Sequence, residues 1–229
     1  MEIIKNKALL LKLRHPKQVT TAIPKSHKVD DNNVLVKWGV DESHVLKNLN
    51  IKVPSPIKGQ YDWPGQHKPF EHQKETSAFL TMNRKAFCFN EQGTGKTASA
   101  IWASDFLMKQ GAIKRVLVIC PLSIMDSAWR SDLFSFAMHR SVDIAYGSPD
   151  KRRKIIDGGA EYVIINYDGV AIVKDDIANG GFDLIIVDEA THYKNAQTTR
   201  WKTLNKILKP DTWLWMMTGT PAAQSPLDA

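Results

Sequence analysis

The sequence predicts an α/β fold, a parallel sheet with helices on both faces, preceded by a small α+β module. Three observations predict it. From residue 86 onward, short runs that are apolar at every position recur along the chain. Helix-length mixtures of polar and apolar residues separate them. The glycine-rich and acidic clusters begin where such runs end. A strand apolar throughout has both faces buried, and strands alternating with helices pair in parallel. In such sheets ligands sit at the carboxyl ends of the strands.

The bulk composition suits this fold. The 229 residues are 43% hydrophobic, enough for a substantial core and unlike a disordered chain. Basic residues outnumber acidic ones 31 to 24, a net charge of +7 that leans toward a polyanionic partner. The two cysteines, Cys88 and Cys120, each sit inside an apolar run. They read as buried free thiols in a reducing compartment, with no disulfide and no structural metal. No apolar run has membrane-spanning length and Met1–Lys5 opens no signal peptide, so the expected location is the cytoplasm.

Residues 1–66 differ from the rest. Ala8–Leu13 and Val34–Trp38 read as strands, and Asp41 is placed to cap a short helix through Ser43–Leu49. The segment is basic (Lys5, Lys7, Lys12, Arg14, His15, Lys17, Lys25, Lys28) and ends in a Pro- and Gly-containing link, Pro54 through Gly65. It reads as an accessory module and linker whose basic residues either touch nucleic acid or form a solvated face. Pro69–Leu80 then reads as a helix start. Its Gln73 can donate and accept, which suits an adenine edge, and Phe70 can pack on the ring.

The apolar run Ala86–Phe89 leads into Asn90-Glu91-Gln92-Gly93-Thr94-Gly95-Lys96-Thr97, and a helix over 97–110 follows. Strand, glycine loop and helix in that order make a phosphate cradle. Gly93 and Gly95 allow a tight turn with backbone N–H groups aimed at an anion, and the helix N-terminus adds partial positive charge. Thr94 and Ala98 complete the cradle. Lys96 reaches the terminal phosphates of ATP, and the Thr97 hydroxyl ligates Mg²⁺. Asn90 stands where the general P-loop pattern has its first glycine.

Further strands are expected at Val116–Cys120, Val142–Tyr146, Tyr162–Asn166, Leu184–Val187 and Trp213–Met217, with helices over 123–137, 149–157, 168–178 and 197–208. Asp188 and Glu189 directly follow one strand. At a strand tip Asp188 holds Mg²⁺ and Glu189 polarises the attacking water; a helix cap is the plainer alternative for such a pair. Thr218-Gly219-Thr220-Pro221 follows another strand, where Thr218 and Thr220 can bond the acidic pair and relay nucleotide state, or simply form a turn. Lys151–Lys154 is a basic cluster, read mainly as the solvated face of a helix.

In series these motifs resemble superfamily 2 helicases. Asn90–Thr97 resembles the motif I form of the Swi/Snf-type ATPases, which also lacks the first glycine. Val118–Ser123 with Trp129 is similar to their motif Ia, and Ile165–Asp168 to the segment around motif Ib. Asp188–Asn195 resembles motif II with its trailing Lys194-Asn195, and Met217–Pro221 with Gln224 resembles motif III. The resemblance covers residues 67–229 and places Gln73 at the adenine-reading position. It implies a first RecA-like lobe of an ATP-driven motor on double-stranded DNA, with Ser123 and Tyr167 at DNA-contacting positions. It also implies that a second RecA-like lobe, with motifs IV to VI, is missing, so the chain alone hydrolyses little ATP. The alternatives are a strand-separating helicase on RNA or branched DNA, or a nucleotide-gated DNA-binding module without motor activity. Thr191 stands where the DEAH-type pattern has histidine, and His192 comes one place later. The compact size and short N-terminus suggest a bacterial or phage source, placing a phage protein in host cytoplasm or nucleoid.

Overall fold

The computed structural model describes residues 1–193 and 197–219. Strand β1 (Glu2–Ile4) and β2 (Ala8–Lys12) form a hairpin whose turn residues Lys5 and Asn6 take positive φ. Helix α1 (Pro16–Ala22) opens on Pro16, where a missing N–H costs nothing. After β3 (His27–Lys28), β4 (Asn33–Lys37) and α2 (Val40–Asn48), the antiparallel sheet has the order β1-β2-β4-β3. Leu9, Leu11, Val34 and Val36 fill one face beneath Val19 of α1, Ile23 just after it, and Leu46 of α2. Gly39, in extended conformation, is the N-cap of α2. Asp41, expected as the cap, instead lies in the first turn, where its charge suits the helix dipole.

The stretch Pro54–Gly65, expected as a link, is tied down. It contains α3 (Ile57–Gln60), and Ile57, Tyr61 and Trp63 are buried in the same core as the following helices. Tyr61 OH donates to Asp105 Oδ2 at 2.6 Å, and Trp102 Nε1 donates to the Pro64 carbonyl at 2.8 Å.

The main sheet is built in chain order from α4 (Glu71–Thr81), β5 (Lys85–Cys88), α5 (Lys96–Lys109) and β6 (Val116–Cys120). A 3-10 turn (Leu122–Ile124) and a π-helical turn (Met125–Arg130) lead into α6 (Ser131–Phe136). Then come β7 (Val142–Ala145), α7 (Pro149–Asp157), β8 (Tyr162–Asn166), α8 (Tyr167–Ile172) and α9 (Lys174–Asn179). The described chain closes with β9 (Leu184–Asp188), a 3-10 turn (Ala190–Tyr193), α10 (Thr199–Ile207) and β10 (Trp213–Met217). All ladders are parallel, in the order β5-β10-β9-β6-β8-β7.

The unbroken apolar runs have a direct cause. In β6, Val116, Val118 and Cys120 face α5 and the π-helical turn, packing with Trp102, Phe106 and Trp129. Leu117 and Ile119 face the other layer, with Ile156 of α7, Val170 of α8, Ile177 of α9 and Leu204 of α10. Each such side chain contributes about 1.5–3 kcal/mol by leaving water. Both cysteines are free and buried. Among the described residues no helix is long and apolar enough to cross a membrane.

Candidate functional site

The sheet order makes β10 the neighbour of both β5 and β9, so three strand ends deliver their loops to one place. From β5 comes the glycine loop, from β9 Asp188 and Glu189, and from β10 Thr218. The Thr218 N–H donates to the Cys88 carbonyl at 3.1 Å, extending the ladder past the last residue of β10. Thr218 Oγ1 lies 3.5 Å from Glu189 Oε2.

Lys96 is the first residue of α5, and its Nζ donates to the carbonyls of Asn90 and Glu91, each at 2.9 Å. The ammonium therefore closes the loop on itself. Thr94 Oγ1 donates to the Glu91 carbonyl at 2.8 Å and tightens the same turn. Gly95 has φ of 74°, and a Cβ there would meet Gln73 Nε2 at 2.1 Å. Thr97 and the buried Ala98 form the first turn of α5, whose N–H groups and dipole face the loop.

Gln73 is held by this loop. Its Oε1 accepts the Phe70 N–H at 2.9 Å, which caps α4, and its Nε2 donates to the Thr94 carbonyl at 3.3 Å. Phe70 is 69% exposed and stacks on His72. Beside them lies a cleft of about 460 Å³ lined by His67, Lys68, Phe70, Gln73, Trp102 and Phe136.

Asp188 ends β9 and is only 6% exposed. Its Oδ2 accepts the indole N–H of Trp129 at 2.9 Å, and its Oδ1 accepts the Glu189 N–H at 3.0 Å. Burial pushes this carboxyl up from its ordinary range, against the pull of those two donors. Glu189 takes φ of 51°, which turns the chain sharply as it leaves the strand.

Tyr167 is 8% exposed, and its hydroxyl donates to the Asp188 carbonyl. Its ring packs on His192 and lies under the Arg200 guanidinium. The side chain expected to reach nucleic acid thus faces motif II, because β8 and β9 deliver it to the same sheet edge. Ser123 is exposed on the 3-10 turn after β6. Thr220, Pro221, Gln224 and Lys194-Asn195 lie outside the described residues. The basic cluster in α7 divides. Lys151, Arg153 and Lys154 are exposed, while Arg152 is buried and donates to the Ala145 carbonyl and Asn166 Oδ1.

A family model described as the SNF2-related domain matches residues 72–228. The chain belongs to the SNF2-related family. Helicase SWR1 of Candida albicans is 27% identical over 203 residues, covering 84% of this chain and 11% of that protein. The uncharacterized ATP-dependent helicase YqhH of Bacillus subtilis is 25% identical over 157 residues, covering 67% of this chain and 26% of that one. Among solved structures, the Sulfolobus solfataricus SWI2/SNF2 ATPase core in complex with dsDNA superposes with a TM-score of 0.62 at 24% identity. That match covers 72% of this chain and 35% of the other, and it supports the fold. The chain spans between 11% and 32% of the length of the curated relatives named here and of a phage protein, p41, that it also matches.

Two residues join this site without a sequence signal for the role they take. Trp129 belonged to the motif Ia pattern, but nothing in its spacing indicated a bond to Asp188. Arg200 has no motif at all. Its guanidinium meets Asp168 at 3.0 Å and lies 3.5 Å from His192 Nδ1, joining the start of α8 to the turn after β9.

Proposed function

We propose that this chain is the nucleotide-binding first lobe of a Swi/Snf-like ATPase that couples Mg-ATP hydrolysis to movement on double-stranded DNA. The observation that carries the reading is the convergence of Lys96, Asp188, Glu189 and Thr218 at one edge of a parallel sheet. In this reading the glycine-loop N–H groups and the α5 N-terminus bind the phosphates, and Lys96 exchanges its loop carbonyls for phosphate oxygens. Gln73 and Phe70 take the adenine in the adjoining cleft.

The donor set suits Mg²⁺. Thr97 offers a hydroxyl, and each Asp188 oxygen accepts one protein bond and keeps a lone pair. Bound Mg²⁺ would be held by Thr97 and Asp188 and would neutralise phosphate charge. Glu189 orients and polarises the attacking water, and Thr218 fixes the Glu189 carboxylate. Tyr167, His192 and Arg200 link the acidic pair to α8, the segment that resembles motif Ib.

Duplex DNA and a second RecA-like lobe complete the proposed motor. The test is Mg-ATP hydrolysis by this chain, with and without double-stranded DNA, beside a version extended through a second lobe. DNA-stimulated turnover only in the extended protein supports the half-motor. A motor-like rate from this chain alone overturns it.

A further inference from the structure

The positive charge of this protein is concentrated where the family match does not reach. Residues 1–28 hold seven basic residues and one acidic residue, Glu2, leaving 24 basic and 23 acidic residues for the remaining chain. All seven basic residues are exposed. Among the described residues only Lys28 meets a carboxylate, that of Asp31 at 2.8 Å. In the layers of the main sheet, by contrast, Arg140 meets Asp105 and Glu161, Arg153 meets Asp150, and Arg200 meets Asp168.

The ladder of the small sheet sorts these charges. Helices α1 and α2 cover the face bearing Leu9, Leu11, Val34 and Val36. On the opposite face, Leu10 pairs with Leu35, Lys12 with Asn33 and Lys37 with Ala8. Leu10 and Leu35 are half-buried and belong to no core cluster, and Lys12 and Lys37 are exposed. Leu13 packs back on the core, so the alternation returns Arg14 to the Lys12 side. Lys12 and Lys37 stand about 14 Å apart along the strands, an axial length of about four base pairs.

We infer that this open sheet face is a docking surface for the phosphate backbone of duplex DNA. Lys12, Arg14 and Lys37, which meet no carboxylate among the described residues, outnumber Glu2 of β1, which shares this face by pairing with Leu10, and complement a linear polyanion. A lipid surface fits poorly, since the central leucines of this face are half-buried and flanked by exposed charged side chains. The face is fixed relative to the ATPase lobe. His44 Nε2 lies 3.0 Å from the Thr81 carbonyl, Lys47 Nζ donates to Asn83 Oδ1 at 2.6 Å, and Ser55 Oγ lies 2.7 Å from Thr81 Oγ1. A duplex bound here is therefore held in one orientation to the nucleotide site.

The choice of DNA rests on the proposed motor, but the two readings fail separately, because ATP turnover tests that one and a salt slope tests this one. Fluorescence anisotropy of a labelled duplex of about 20 base pairs, titrated with the chain from about 50 to 200 mM salt, gives the slope of log K against log salt. In the triple variant K12Q/R14Q/K37Q the slope is expected to shrink by about 2–3, with affinity at least about tenfold weaker at 100 mM. The charge-matched triple K114Q/K151Q/K154Q, on the lobe surface, is expected to keep the wild-type slope. Matching melting curves of all three proteins show that each is folded. No duplex binding by the wild type, an unchanged slope in the first variant, or equal losses in both variants would overturn the inference.

Discussion

Trp129 donates its indole N–H to Asp188 across 59 residues of sequence, and both side chains are buried. The bond holds Oδ2 while the Glu189 N–H holds Oδ1, so the two donors together fix the plane of the carboxylate. The π-helical turn over Met125–Arg130 places the indole there, and such turns are frequent at functional sites. Trp129→Phe keeps a large ring and removes the donor. A hydrogen bond to a charged group is worth about 1.5–3 kcal/mol, so Mg-dependent nucleotide affinity is expected to fall about tenfold or more. Titration of a fluorescent ATP analogue with and without Mg²⁺ checks this. An unchanged Mg²⁺ increment would refute the role.

Lys96 and Glu189 should separate binding from turnover. Lys96→Ala removes the ammonium that bonds the Asn90 and Glu91 carbonyls, and ATP binding is expected to vanish. Glu189→Gln keeps the shape and loses the charge, so in a two-lobe protein ATP still binds and hydrolysis stops. Unchanged affinity in the first variant, or normal turnover in the second, contradicts the assigned roles.

Gly95 and Gly111 offer a matched comparison. Both have positive φ, 74° and 73°, so alanine strains the backbone equally, by about 1–2 kcal/mol. At Gly111 nothing lies within 4 Å of a new Cβ, whereas at Gly95 the methyl strikes the Gln73 amide. Gly111→Ala is therefore expected to lower the melting temperature only. Gly95→Ala is expected also to weaken ATP binding and to blunt its preference over GTP. Equal nucleotide binding by the two variants would remove Gln73 from the base site.

The parallel sheet was legible because burial on both faces leaves a mark on every residue of a strand. Val116–Cys120, Tyr162–Asn166 and Trp213–Met217 have the expected bounds. Strand β9 runs one residue further, because Asp188 still pairs with Met217. The helix expected over 123–137 is a 3-10 turn, a π-helical turn and a short α-helix, and the one over 168–178 is split at Val173. Periodicity cannot distinguish those turns. Strands β1 and β3 were missed because they are short and largely exposed, so they carry no apolar alternation. The loop, the acidic pair and Thr218 were legible as local patterns. The bonds joining Trp129 to Asp188 and Arg200 to Asp168 were not, since only tertiary structure brings those residues together.

Asp105 gives the fold an acid-sensitive joint. It is fully buried and accepts from Tyr61 OH at 2.6 Å and Arg140 Nε at 2.6 Å, with His139 Nε2 at 2.8 Å. Burial alone would raise its pKa, but the Tyr61 and Arg140 donors outweigh it and hold the carboxyl below the ordinary range. A depressed native pKa gives stability that is complete above the unfolded value of about 3.9 and is lost as pH falls through the native one. The wild type is expected to lose melting temperature steeply on acidification through that window. Asp105→Asn leaves Arg140 partly uncompensated, costing about 3 kcal/mol at neutral pH, and should show a shallower acid dependence. Parallel acid slopes for the two proteins would assign the acid sensitivity elsewhere.

The same joint bears on where the lobe of the main sheet begins. The family match starts at residue 72, which invites a truncated protein beginning at 67. That cut removes Ile57, Tyr61 and Trp63 from the lobe's core and strips Asp105 of its tyrosine. It also exposes Trp102, whose indole N–H loses the Pro64 carbonyl and whose ring loses its edge contact with Trp63. Losing one large buried aromatic costs about 3–5 kcal/mol, and each kcal/mol shifts melting by about 2–4 °C at this size. The truncated chain is expected to melt at least about 10 °C below the full chain, or to fail to fold. A chain beginning at residue 52 keeps all three aromatic and aliphatic anchors and should retain most of the stability. Equal melting of the chains starting at 52 and 67 would show that the segment lies on the lobe without supporting it.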